Sequence, residues 1–253
     1  MKLSLSNGVF SKLSLEENFA TVRRLGFENV EFNMKTVKKE NDTAVYAAER
    51  LLAASGLKCL TLHSATLHVN DEVEVHRAVY YGKISLEFAR RLKAPIMTVH
   101  SNVSKRLPRS VREKCVALMF GELKPFARSL GVKLALENLS YTSTGFGKNV
   151  EQLEEVLNIM DDDSVGVTFD FCHSLETGQT ENLLEKYGNL LSNVHMADKS
   201  HKPFTEPTKE LTSFLAKLDE FGYDGPITLE IARNTPTEEI AKSRALFDKL
   251  LRK

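Results

Sequence analysis

A strand-like segment followed by a helix-like segment recurs eight times along this chain. The strand-like segments are rich in β-branched and aromatic residues, whereas the segments between them carry apolar residues at helical spacing. Each unit occupies about 30 residues, as in barrels built from repeated strand–helix units. The predicted strands are Lys2–Ser6, Asn29–Asn33, Leu57–His63, Pro95–His100, Val132–Asn138, Val165–Asp170, Leu191–Met196 and Pro226–Ile231.

This alternation predicts an α/β fold around a parallel sheet. Eight units in 253 residues fit a single-domain (β/α)8 TIM barrel. The strands are apolar enough to be covered on both faces, as parallel strands usually are. A doubly wound open sheet is the alternative, but no GxGxxG motif follows the first strand. No linker composition interrupts residues 1–253, so we expect one domain.

Cap residues indicate where several of the intervening helices begin and end. Ser14 followed by Glu17 matches a capping box, Thr237 is expected to cap the last helix, and glycine follows several helices. The predicted helices are Leu13–Leu25, Asn41–Ser55, Glu72–Leu92, Pro108–Leu130, Asn149–Met160, Thr180–Tyr187, Thr208–Phe221 and Thr237–Leu251.

Charge and composition narrow the classes of function. The 34 basic and 34 acidic residues give a formal net charge of zero, so the whole-chain basic surplus typical of nucleic-acid binding is absent. The sequence shows neither a signal-peptide pattern nor an apolar run of about 20 residues that would predict a membrane span. The three cysteines, Cys59, Cys115 and Cys172, form no CxxC motif. Reduced thiols in a cytoplasmic protein are therefore expected.

Titratable side chains collect at the carboxyl ends of the predicted strands. In a TIM barrel these ends meet at the face that holds the active site. Four of the seven histidines belong to this set, and the other three, His68, His76 and His201, are placed in loops or helices outside it. The collected residues are Glu31, His63, His100, Glu137, Asp170, His173, His195, Asp198 and Glu230.

The acidic members of this set predict a bound cation. Glu137 and Glu230 each follow apolar strand residues, and the alternation of each strand points them toward the barrel interior. Several carboxylates in one barrel mouth repel each other unless a cation offsets their charge. Two Glu, one Asp and one His form an oxygen-rich ligand set that suits Mn²⁺, Mg²⁺, Zn²⁺ or Co²⁺.

Four motifs, LALEN, FDFCHS, NVHMAD and ITLEI, resemble those of the xylose isomerase-like barrel superfamily, also called AP endonuclease family 2. The resemblance extends from the first strand to the last helix. The superfamily includes sugar and sugar-phosphate isomerases and epimerases, hydroxypyruvate isomerase, inosose dehydratase and endonuclease IV. The residues that the resemblance implies as ligands of a single metal ion are Glu137, Asp170, His195 and Glu230.

The same resemblance implies roles for the remaining histidines. His63, His100 and His173 would line the substrate pocket, and a second metal ion could be held by His63, His100 and Glu137. The segment after the seventh strand, HMADKSHKPFTEPTKE, lacks the Asp-x-His pair with which endonuclease IV-like members complete a three-zinc cluster. We therefore expect the third metal site to be broken and His173 to contact substrate.

The resemblance implies a metal-dependent isomerase or epimerase of a small sugar, sugar phosphate or related polyhydroxy ketone. Glu137 and Glu230 would transfer the proton through an enediolate. One alternative is an endonuclease IV-like phosphodiesterase, which the zero net charge disfavours. Another is a barrel that binds a sugar or a metal without turnover, which the pair of Glu residues disfavours. We expect a small carbohydrate partner and no membrane, and homo-oligomerisation stays open.

Overall fold

The computed structural model describes residues 1–37 and 42–251. Within these residues eight parallel strands close into a barrel in chain order, and the last strand pairs with the first. This confirms the predicted (β/α)8 TIM barrel. The strands are β1 (Lys2–Ser6), β2 (Asn29–Asn33), β3 (Lys58–His63), β4 (Ile96–Val99), β5 (Lys133–Glu137), β6 (Gly166–Asp170), β7 (Leu191–Met196) and β8 (Pro226–Leu229).

Helices surround the barrel close to where the sequence predicts them. One short helix, Phe171–Thr177, was not predicted. The last helix begins at Thr237 with Pro236 at the cap position, so the predicted capping role of Thr237 is wrong. The predicted start at Asn41 lies outside the described residues. The helices are α1 (Leu15–Arg24), α2 (Asp42–Ser55), α3 (Val75–Arg91), α4 (Arg109–Ser129), α5 (Val150–Met160), α6 (Phe171–Thr177), α7 (Thr180–Tyr187), α8 (Lys209–Glu220) and α9 (Thr237–Leu250).

Local capping explains the start of α1. The Ser14 hydroxyl accepts a hydrogen bond from the Glu17 backbone N–H at 3.2 Å, and the Glu17 carboxylate accepts one from the Ser14 backbone N–H at 3.1 Å. This confirms the predicted capping box. At the other end of the helix Gly26 adopts φ +85°, a conformation that residues with a Cβ rarely take. The chain can therefore turn directly into β2.

An apolar layer lies between the barrel and its helices. Phe32 on β2 packs between Phe19 of α1 and Phe88 of α3, with ring centroids 6.3 Å and 5.9 Å away. On the opposite side, Phe214 of α8 packs against Phe169 of β6 and Phe171 of α6 at 5.0 Å and 4.4 Å. Among the described helices none combines the length and apolarity needed to cross a membrane.

The inside of the barrel is polar. Asn193 on β7 donates hydrogen bonds to Thr98 on β4 at 3.3 Å and to Glu31 on β2 at 3.2 Å, so its side chain crosses the barrel. Every member of this interior polar layer is 0% exposed. We define the layer by its seven residues, Ser4, Glu31, Thr61, Thr98, Thr168, Asn193 and Thr228.

Candidate metal centre

The next inward-facing position along several strands forms the barrel mouth. Successive side chains on one face of a strand are two residues apart. Thr168 is therefore followed by Asp170, Asn193 by His195, and Thr61 by His63. The sequence thus places titratable groups directly above the interior polar layer, at the carboxyl end of the strands.

Four mouth residues form a central cluster. A ligand atom from each of Glu137, Asp170, His195 and Glu230 lies within 4.8 Å of the others. Glu137, Asp170 and His195 end or nearly end β5, β6 and β7, and are at most 1% exposed. Glu230 lies just beyond β8, which ends at Leu229, two residues before the predicted Ile231, and its backbone carbonyl accepts a hydrogen bond from His201 Nδ1 at 2.9 Å. The four predicted metal ligands are thus side by side.

Three buried atoms in the central cluster have no hydrogen-bond partner among the described residues: Glu137 Oε1, Asp170 Oδ2 and His195 Nδ1. His195 Nδ1 lies 3.0 Å from Glu230 Oε2 and 3.4 Å from Glu137 Oε1, but neither contact is aligned as a hydrogen bond. Leaving one buried polar atom without a partner costs about 1–3 kcal/mol. A divalent cation would satisfy all three, so this donor set fits a metal ion.

The electrostatics of the central cluster are those of a site that attracts positive charge. Burial works to raise the pKa of Glu137, but the charges of His100 and His195 hold it well below its usual range. Burial also opposes ionisation of Glu230, yet His195 keeps its pKa well below the ordinary value. Conversely, burial works to lower the pKa of His195, and the surrounding Glu31, Glu230 and Glu137 raise it well above the ordinary value. In the metal-free protein the surrounding carboxylates therefore favour the protonated form of the His195 ring.

A second group shares Glu137 with the central cluster. Glu137 Oε2 lies 2.9 Å from His100 Nε2 and 3.5 Å from His63 Nε2, whereas Oε1 faces His195. The two oxygens of Glu137 thus point to different groups of ligands, as in a bridging carboxylate. Burial lowers the pKa of His63 despite the nearby Glu137 and Glu230, which keeps its ring neutral and able to ligate. The predicted second set, His63, His100 and Glu137, is therefore assembled.

A third group arises where the sequence predicted none. His201 Nε2 lies 3.2 Å from His173 Nε2, and Asp170 is the third member of the group. The Nδ1 atom of each ring donates to a backbone carbonyl, of Asn138 and of Glu230, at 2.9 Å. The two Nε2 lone pairs would therefore face each other unless a proton or cation lies between them. His201, which the sequence placed in a loop or helix outside the strand-end set, therefore lies in the mouth beside His173. The expected break in the third metal site, based on the missing Asp-x-His pair, stays a prediction.

Backbone geometry explains how His201 reaches the site. Ser200 and His201 have φ values of 61° and 53°, in the left-handed region that non-glycine residues rarely adopt. The Ser200 backbone N–H donates to Glu176 Oε1 at 3.0 Å, and the His201 N–H donates to Cys172 Sγ at 3.4 Å. Asp198 instead accepts from the Lys199 N–H at 2.7 Å and joins none of the ligand groups found among the described residues.

Two further residues hold the ligands in place, and sequence reasoning gave neither a role. Glu31 Oε2 lies 2.9 Å from His195 Nε2, the ring nitrogen that faces away from the central cluster. Asn138 donates to the Asp170 carbonyl at 2.9 Å and accepts from the Asp170 N–H at 2.7 Å, which fixes the end of β6 against β5. The sequence held a signal for each residue. The alternation of NVEFN points Glu31 toward the barrel interior, and Asn138 directly follows the predicted ligand Glu137.

Comparison with known proteins gives relatives of two kinds. A model of the xylose isomerase-like TIM barrel family matches residues 19–250. The probable endonuclease 4 of Bifidobacterium longum strain DJO10A is 26% identical over 237 residues, covering 78% of this chain and 80% of that protein. The uncharacterised protein MJ1311 of Methanocaldococcus jannaschii is 26% identical over 178 residues, and this match spans 66% of the chain but only 60% of that protein.

Solved structures are similar over nearly the whole chain. A D-tagatose 3-epimerase-like protein has a TM-score of 0.83 at 22% identity, covering 99% of this chain and 97% of that one. The 3-keto-D-glucoside 4-epimerase of E. coli has a TM-score of 0.81 at 18% identity, covering 98% and 99%. An AP endonuclease family 2 protein from Brucella melitensis has a TM-score of 0.79 at 19% identity, covering 98% of each chain. At these identities the likeness shows a shared fold.

Proposed function

We propose that this chain, which belongs to the xylose isomerase-like TIM barrel family, is a metal-dependent isomerase or epimerase of a small sugar, sugar phosphate or related polyhydroxy ketone. The observation that carries the proposal is the convergence of three unpartnered buried atoms, Glu137 Oε1, Asp170 Oδ2 and His195 Nδ1, beside a more accessible carboxylate, Glu230. Epimerases among the similar solved structures support the choice of substrate class.

Glu137, Asp170, His195 and Glu230 would hold the metal ion. When bound, the ion would supply Lewis-acid stabilisation for negative charge that develops on substrate oxygen atoms. The Glu230 side chain is 15% exposed, whereas that of Glu137 is 0% exposed, so Glu230 is the more open of the two carboxylates to a substrate carbon. His195 holds the pKa of Glu230 below its ordinary value, so the carboxylate is ionised, which is the form that would accept a proton from that carbon.

The other mouth residues have complementary tasks. Glu137 stands on β5 and, like Glu230, approaches His195 Nδ1; it would be the second carboxylate of the proton-transfer pair. The Nε2 atoms of His173 and His201 lie 3.2 Å apart in the mouth, and an N–H on either ring would donate to a substrate hydroxyl or carbonyl oxygen that replaces the other ring as its acceptor. Burial of these groups strengthens each electrostatic contact relative to water.

The test is exchange of solvent deuterium into ketoses by Mn²⁺-loaded protein. Glu230→Gln is expected to slow exchange by at least about 100-fold, because it removes the base while keeping the shape of the side chain. Glu154→Gln is the matched control, since Glu154 lies on α5 and pairs with Lys186 at the surface. A folded Glu230→Gln protein that exchanges at the wild-type rate rules out this mechanism.

A second candidate, a metal-dependent phosphodiesterase, is favoured by a specific observation. The groups His63–His100–Glu137 and Asp170–His173–His201 flank the central cluster, so the mouth offers donors for more than one ion. The similarity to probable endonuclease 4 proteins supports the same candidate. The absence of Asp198 from the third group weighs against it.

Metal stoichiometry and one double variant separate the two candidates. A single ion per chain by elemental analysis favours the isomerase, and two or three zinc ions with cleavage of abasic duplex DNA favour the phosphodiesterase. The variant His63→Gln/His100→Gln removes the second group and leaves the central cluster complete. It is expected to keep one ion per chain and to raise the KM for a ketose if the protein is an isomerase, and to lose bound zinc and DNA cleavage if it is a phosphodiesterase.

A further inference from the structure

We propose that Glu31 is a positioning residue for the metal centre, because it fixes His195 with Nδ1 facing the central cluster and supplies negative charge behind the ring. This inference rests on the metal dependence in the proposed function but not on the reaction catalysed. Glu31 lies on β2, is 0% exposed, and its Oε2 is 2.9 Å from His195 Nε2. The opposite ring nitrogen, Nδ1, lies 3.0 Å from Glu230 Oε2 and 3.8 Å from Asp170 Oδ2.

The contact decides which nitrogen of His195 can bind a metal ion. An imidazole ligand binds through the nitrogen that carries no proton, and the N–H on the other nitrogen usually donates to a carboxylate or carbonyl. With Nε2–H directed at Glu31, the nitrogen that remains for the ion is Nδ1. This is the atom that already points to Glu137, Asp170 and Glu230.

The position of Glu31 is itself fixed by the interior polar layer. Thr61 Oγ1 donates to Glu31 Oε2 at 2.9 Å, and Asn193 Nδ2 donates to the same oxygen at 3.2 Å. Glu31 Oε2 is thus held from three sides, with His195 as the third partner. Thr61 and Asn193 therefore hold the carboxylate in place, and rotation of the His195 ring would break its contact with that fixed carboxylate.

A purely structural role for Glu31 does not explain why a carboxylate, rather than an amide, stands at this position. The other members of the interior polar layer carry hydroxyl or amide groups, and a glutamine in place of Glu31 could accept hydrogen bonds from Thr61 and Asn193. Burying an ionised carboxylate is costly unless a positive group compensates it. In this layer the positive group adjacent to Glu31 is the His195 ring, or the cation bound on the far side of that ring.

Glu31→Gln tests the charge while keeping the shape. The dissociation constant for Zn²⁺ is measured by competition with a chromophoric chelator. The variant is expected to bind about 10- to 100-fold more weakly than wild type, the loss typical of removing an outer partner of a histidine ligand. Thr61→Val is the matched control, because it removes one hydrogen bond to Glu31 but leaves the Glu31–His195 contact. Its affinity is expected to stay within about threefold of wild type.

A measurement on wild-type protein keeps the inference testable should Glu31→Gln fail to fold. Long-range ¹H–¹⁵N NMR of the Zn²⁺-loaded protein is expected to show His195 protonated at Nε2 and metal-bound at Nδ1. Metal on Nε2, or a folded Glu31→Gln protein with wild-type affinity, overturns the role of Glu31 and leaves the metal site intact. A wild-type protein that takes up no metal overturns both this inference and the proposed function.

Discussion

The barrel contains two buried polar layers, and they differ in how their polar groups are satisfied. In the interior polar layer, hydrogen bonds join Ser4 to Thr228 at 2.8 Å and Thr98 to Thr168 at 2.9 Å, and Asn193 links the two pairs. In the mouth, only two residues further along the strands, three atoms of the central cluster have no partner among the described residues. Among the described residues, every side chain of the interior polar layer has a partner within the protein and, of the layer's atoms, only Glu31 Oε1 lacks one, whereas three of the four central-cluster residues each have an unpartnered atom.

The difference separates stability from binding. Hydrogen bonds in the interior polar layer stabilise the closed barrel, because each buried group that loses its partner costs about 1–3 kcal/mol. The three unpartnered atoms of the mouth carry a desolvation cost of the same kind, which a bound cation would offset under the proposed metal dependence. Within the described residues, Glu31 is the member of the interior polar layer whose side chain lies at hydrogen-bond distance from a predicted metal ligand, His195.

The largest effect is expected inside the barrel. Asn193→Leu leaves Glu31, Thr98 and Thr228 each without one hydrogen bond. The free energy of unfolding is expected to fall by about 3–5 kcal/mol in urea titrations. Asn182→Leu is the control, because Asn182 is exposed on α7 and the same substitution there should change stability by less than about 0.5 kcal/mol. A loss as small as the control's would mean that the layer contributes no stability.

The next effect concerns proton release at the mouth. Burial works to lower the pKa of His195, but Glu31, Glu230 and Glu137 raise it well above the ordinary value, so the metal-free ring carries an extra proton at neutral pH. Metal must displace that proton, and affinity should therefore rise about tenfold per pH unit below the His195 pKa. Calorimetry of Mn²⁺ binding in buffers of different ionisation enthalpy measures the release. Affinity that stays constant from about pH 6 to pH 7 contradicts this account.

Much of the fold could be predicted from the sequence because its signals are local. Alternating apolar residues gave β1, β2 and β7 with the same bounds as in the structure. The seven-residue helix α6 was not predicted, because it is too short to show a helical period. Its start depends on the Asp170 carboxylate, which accepts a hydrogen bond from the His173 N–H at 2.7 Å.

The candidate site could be predicted only in part, for a similar reason. Glu137, Asp170 and His195 follow from strand alternation, which is local. The approach of His201 to His173 depends on two left-handed residues that no local pattern announces. The contact of Glu31 with His195 joins positions 164 residues apart and exists only once the barrel closes.

The smallest effect has the opposite sign to the first. Burial raises the pKa of the Asp170 carboxyl above its ordinary value, although His173 and His201 act to lower it. Ionised Asp170 is therefore less favourable in the folded protein than in the unfolded chain. At neutral pH the ionised group therefore destabilises the metal-free fold. Asp170→Asn should raise the free energy of unfolding by about 1 kcal/mol, since asparagine can still cap α6. It should also abolish the rise in melting temperature that metal gives wild type.

Asp162→Asn at the opposite barrel end is the matched control. Hydrogen bonds from Ser164 lower the Asp162 pKa, so there the substitution should destabilise. If both variants changed the free energy of unfolding in the same direction, the buried carboxylate of the mouth would behave no differently from a surface carboxylate.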